Sequence, residues 1–104
     1  MKTSYYSNNF KDFIQEPKES ILGKLNSSFN LQNLNIKQTN AWEYQIDILK
    51  SSLKNISSGE IYFEFSIPRM GKRADNILII GGLIYILEFK VGSKEYDRIY
   101  KSSC

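Results

Sequence analysis

The sequence contains no histidine, and its one cysteine is the last residue, Cys104. The absence of histidine excludes Ser-His-Asp and Cys-His nucleophile systems, histidine-based zinc sites and any imidazole general base. A lone cysteine cannot close an internal disulfide, which fits a reducing compartment. Its terminal position also argues against a thiol nucleophile. Long apolar runs are missing too. The longest, residues 77–87, is too short to span a bilayer and is split by Gly81 and Gly82. The opening MKTSYYSNNF lacks the apolar stretch of a signal peptide. The expectation is a soluble, cytoplasmic protein with no membrane contact.

What remains is ordinary for a small globular chain. At 104 residues, 41% hydrophobic and 24% charged, it has the material for one small domain. Fourteen Lys and Arg against eleven Asp and Glu give a net charge of +3. That is mildly basic, compatible with a nucleic-acid partner without demanding one.

Periodicity divides the chain. Residues 1–9 are polar and read as loosely held. Phe10, Phe13, Ile14, Ile21, Leu22 and Leu25 recur at helical spacing, with Pro17 suited to a first helical turn. Residues 26–38, rich in Asn, Ser and Gln, read as a connection anchored by Phe29, Leu31, Leu34 and Ile36. Asn40, followed three residues later by Glu43, is a capping-box pattern. Trp42, Ile46, Leu49 and Leu53 then form one apolar helical face, with Gln45 at its edge. After Ser57, Ser58 and Gly59 the period changes to two. Ile61, Phe63, Phe65 and Ile67 alternate with Tyr62, Glu64 and Ser66, a strand stopped by Pro68. A basic loop, Arg69 to Arg73, leads to a second strand ending at Ile80. Gly81 and Gly82 make a two-residue turn into a third strand reaching about Lys90. Ser93 reads as the N-cap of a last short helix through Tyr96 and Ile99 or Tyr100.

The turn fixes a register. If Ile80 pairs with Leu83, then Ile79 faces Ile84 and Ile77 faces Ile86. The next positions on that face are Asp75 against Glu88, then Arg73 against Lys90. Directly opposed like charges destabilise a sheet. A divalent cation between the carboxylates would relieve the first pair, and a phosphate would relieve the second. Oxygen ligands without His or Cys point to Mg²⁺ or Mn²⁺. Metal, phosphate and an adjacent lysine are the equipment of phosphodiester hydrolysis. The plainer reading of the same residues is a pair of solvated strand ends. Glu64 is either a further metal ligand or an exposed strand glutamate. Arg69, Lys72 and Arg73 are either nucleic-acid contacts or a solvated turn.

The same residues carry a resemblance. Asp75, a short hairpin and then Glu88, Phe89 and Lys90 resemble the D…ExK signature of the PD-(D/E)XK nuclease superfamily. The string FEFSIPRMGKRADNILIIGGLIYILEFKVG is similar to the N-terminal region of bacterial DNA/RNA helicases related to the Schlafen group-3 type, and AWEYQIDILK fits the same region. The resemblance covers residues 38–98. It implies an α+β or α/β fold, a restriction-endonuclease-like αβββα core with N-terminal helices and an incomplete sheet. It divides the chain into a helical extension, 1–37, and a partial nuclease-like core, 38–104. It makes Asp75 and Glu88 metal ligands, and gives Lys90 the positioning of the water and the scissile phosphate. Gln45 falls near the family's first motif, as a structural or supporting residue. The expected partner is nucleic acid, DNA in preference to RNA.

No G-x-x-x-x-G-K-[ST] occurs, so the chain carries no P-loop ATPase. The resemblance therefore implies the front of a larger protein, cut short, with a sheet edge open to association. Two further functions stand beside the nuclease. One is a non-catalytic module that binds nucleic acid or a partner. The other is an inactive truncated remnant.

Overall fold

A computed structural model describes residues 3–28, 36–89 and 98–102. The fold is α+β. It runs β1 (Tyr6–Asn9), α1 (Phe10–Gln15), α2 (Lys18–Ser28), α3 (Ile36–Leu53), β2 (Glu60–Ile67), β3 (Lys72–Ile80), β4 (Leu83–Glu88) and β5 (Arg98–Ser102). Among the described residues the strands form one antiparallel sheet in the order β1-β2-β3-β4-β5.

The hairpin follows the turn chemistry. Gly81 and Gly82 both take positive φ, 58° and 82°, which glycine adopts without a Cβ penalty and which matches the twist of the flanking strands. Ile80 pairs with Leu83, Ile79 with Ile84 and Ile77 with Ile86, as the two-residue turn predicts.

The apolar stripe of α3 also behaves as its spacing requires. Trp42, Ile46, Leu49 and Leu53 are buried together with Ile61 and Phe63 of β2, Leu78 of β3 and Leu87 of β4. Phe10, Phe13, Ile21 and Leu25 join the same core, so residues on both sides of position 37 fold around one interior.

Three elements differ from the sequence reading. Residues 6–9 are a strand, where a loose polar segment was expected. Tyr6 pairs with Phe63 and is buried, while the short polar remainder suits a sheet edge. Further backbone bonds, Tyr5 N–H to Phe63 O at 3.0 Å and Ser66 N–H to Thr3 O at 2.7 Å, carry the pairing past the strand. Helix α3 begins at Ile36, so Asn40 lies inside it and does not cap it. The start signal at Asn40, worth only about 1 kcal/mol, goes unused because the helix is already under way four residues earlier. Residues 98–102 pair with β4 as a strand, where the end of a helix was expected. Ser93 and Tyr96, the start of that helix, and Phe29, Leu31 and Leu34 lie outside the described residues.

The N-terminal end is tied down by one carboxylate and two lysines. Glu16 accepts from Tyr6 Oη at 2.6 Å and Ser20 Oγ at 2.6 Å, and pairs with Lys24 Nζ at 2.8 Å. Lys50, on α3, donates to the carbonyls of Phe13, Ile14 and Glu16, the unsatisfied acceptors at the end of α1. At the other end of α1, Asn9 Oδ1 accepts from Asp12 N–H at 2.8 Å and caps the helix.

Candidate carboxylate site

The strand registers set three acids in one row across the sheet. On β2–β3, Phe63 pairs with Asn76 and Phe65 with Ala74, so Glu64 and Asp75 lie opposite each other between these pairs. On β3–β4 the last pair is Asn76 with Leu87, and one step further brings Asp75 level with Glu88. Glu88 in turn pairs with Arg98 of β5.

Their side chains part company. Glu64 is the one non-glycine residue with positive φ among the described residues, at 54°. A left-handed backbone in a strand costs about 1–2 kcal/mol for an L-residue. It also breaks the alternation. Beyond Glu64 the strict buried pattern of Ile61 and Phe63 is lost, and Phe65 meets Tyr62 edge-on at 5.4 Å. The Glu64 carboxylate accepts from the indole Nε1 of Trp42 at 3.3 Å. Burial pushes its carboxyl above the ordinary range, and the charge of Asp75 pushes the same way, against the opposing pull of Trp42 and Arg73. Glu64 is therefore no plain exposed strand glutamate. Its backbone is turned so that its carboxylate caps a buried tryptophan.

Asp75 binds the sheet itself. Its Oδ2 accepts the Phe89 N–H at 2.7 Å, just where the β3–β4 ladder ends. Glu88 pairs with Lys72 Nζ at 3.5 Å, across side chains that are 37% and 52% exposed. An exposed pair of this kind is worth about 0–1 kcal/mol, so the contact is easily exchanged for another. Arg73 does not stand free beside the acids. Its Nη1 donates to Glu64 O at 3.0 Å, and its guanidinium lies 4.5 Å from the ring centroid of Tyr5. Arg69 is exposed on the 3-10 turn Pro68–Met70, which Gly71 closes in the left-handed region at φ 64°. Lys90 lies outside the described residues.

Gln45, expected at the edge of the apolar face, is 2% exposed. Asn76, which the sequence reading passed over, is fully buried, with Nδ2 donating to Tyr62 O at 3.3 Å. Gln45 Oε1 and Asn76 Oδ1 have no hydrogen-bond partner among the described residues. The spacing of Trp42 with Ile46, Leu49 and Leu53 marks it only as core. The signal that could have revealed its second role is chemical, because a buried indole N–H needs an acceptor. Among the described residues no group of three or more acids, histidines or cysteines converges as a metal cage.

Comparison with family models, with curated proteins and with solved structures gives no match to this chain. No helix among the described residues is long and apolar enough to cross a membrane.

Proposed function

We propose that this chain carries a divalent-metal-dependent, nuclease-type site that acts on phosphodiester bonds of nucleic acid, on a restriction-endonuclease-like framework. The supporting observation is the opposition of Glu64 and Asp75 on adjacent strands, one step from Glu88, beside the basic turn. Two acids held close enough for one to raise the other's pKa are a place where a cation lowers the energy. The donors are all oxygens, which suits Mg²⁺ or Mn²⁺. Asp75 is the central ligand, Glu88 joins it by leaving Lys72, and Glu64 adds negative charge behind them. A bound divalent ion supplies positive charge to the phosphate and lowers the pKa of water. Arg69 and Lys72 draw the phosphate backbone toward the row. Lys90, two residues beyond Glu88, is assigned to the scissile phosphate and the attacking water.

A second reading is favoured by the contacts of Asp75 and Glu88. Both acids have protein partners, as structural acids do, and the chain would then bind nucleic acid without cleaving it. Thermal melts separate the two. Mn²⁺ at about a hundred times its Kd should stabilise the parent by about 2.7 kcal/mol relative to EDTA. Asp75→Asn should abolish that response, and Lys90→Ala should keep it while losing cleavage of a labelled DNA. Identical melts of the parent with and without metal would leave only the binding reading.

A further inference from the structure

We infer that the carboxylate row serves an unpaired nucleic-acid strand, and that Tyr44 is the shelf on which one of its bases stacks. This inference rests on the phosphodiester reading above and names its substrate class. Tyr44 is 48% exposed, one of two large hydrophobic residues left open among the described residues, the other being Met70 in the basic turn. Single exposed aromatics are common, and position gives this one its meaning. Its ring meets Phe89 at 6.1 Å, inclined by 86°. Phe89 donates its backbone N–H to Asp75. The open ring is thus two contacts away from the central acid.

The other flank is cationic. Arg73 is exposed, and its guanidinium is steadied by Glu64 O and by the Tyr5 ring. A guanidinium has five N–H donors, so one bond to a carbonyl leaves others for a phosphate. A ring linked through Phe89 to Asp75, together with a guanidinium fixed at Glu64, matches a strand whose phosphates run past the acids while one base turns onto the ring. Only an unpaired base can offer its face, because in a duplex both faces are stacked on neighbours.

The test is fluorescence anisotropy in EDTA, which prevents cleavage. The probes are a labelled mixed-sequence 12-mer as single-stranded DNA, as single-stranded RNA and as duplex DNA. The parent should bind a single strand more tightly than the duplex, and the two single-stranded probes show which sugar it takes. Tyr44→Leu should weaken single-strand binding by roughly five- to a hundredfold and leave duplex binding unchanged. Tyr44→Phe should bind like the parent. Equal affinity of the parent for single strand and duplex, which is read without any variant, overturns the inference. So does a folded Tyr44→Leu that binds like the parent. The Mn²⁺ melts judge the metal site separately. A metal response without strand preference sinks the shelf alone, and strand preference without a metal response upholds the shelf on a protein that binds without cutting.

Discussion

Glu16 and Glu64 are both carboxylates set against aromatic residues of the core, and the fold treats them in opposite ways. Glu16 receives a phenol, a hydroxyl and an ammonium. Burial pushes its carboxyl up, but the bonds from Lys24, Ser20 and Tyr6 outweigh it and hold the pKa at about 2. Glu64 receives one indole N–H at 3.3 Å, stands opposite a second carboxylate and sits on a left-handed backbone. Its pKa is raised. The difference is one of donors against burial. Where charged donors suffice, a carboxylate is a rivet. Where they do not, it keeps an unmet demand for positive charge, which is the condition a metal or a proton satisfies.

The sharpest break of this contrast removes the donor on the Glu64 side. Trp42→Ala, at a fully buried position, should cost about 3–5 kcal/mol. Trp42→Phe, which keeps an aromatic ring but loses the N–H and part of the ring volume, should cost less than the alanine and push the Glu64 carboxyl higher still. Urea unfolding followed by far-UV circular dichroism measures the first effect, and titration of the Glu64 carboxyl by NMR measures the second.

Next in size is Glu16→Gln, which should destabilise the chain by about 1.5–3 kcal/mol at pH 7 through the loss of charged hydrogen bonds. The sign follows from the lowered pKa. The parent's advantage is complete above pH 4.5, the ordinary carboxyl value, and is lost as the pH falls towards about 2. Stability curves of parent and variant should therefore converge at acid pH.

Glu64→Gln should do the reverse. A raised carboxyl pKa gives stability that is complete below the ordinary value and is lost as pH rises through the folded-state value. The glutamine variant has no such loss, so its advantage should appear as the pH rises and reach about 0.2–1 kcal/mol at pH 7, with the opposed like charges gone. A Glu64→Gln protein clearly less stable than the parent at neutral pH would mean that Glu64, too, is a rivet.

Much of the frame was legible because its causes are local. The step of Trp42, Ile46, Leu49 and Leu53 is set by helical geometry, and the turn at Gly81 and Gly82 by the φ values that only glycine takes freely. The alternation of Ile61 with Phe63, and the register that pairs Ile80 with Leu83 and Ile77 with Ile86, follow from the same local rules. Residues 6–9 and 98–102 were not legible, because a short polar or mixed edge strand is stabilised by its partner. Tyr6 has Phe63 opposite it and Glu88 has Arg98, at separations no local pattern reports.

The acids divide in the same way. Sequence alone determined which residue types lie in the hairpin, which of them share a rung, and that any metal there would meet oxygen donors without histidine. Tertiary structure alone decided where each carboxylate turns. Glu64 went to the indole beneath it, Asp75 to the backbone of Phe89 and Glu88 to Lys72. The physical reason is that a register is a property of two neighbouring strands, whereas the orientation of a carboxylate depends on the nearest donor. For Glu64 that donor is carried by a helix twenty-two residues away in sequence.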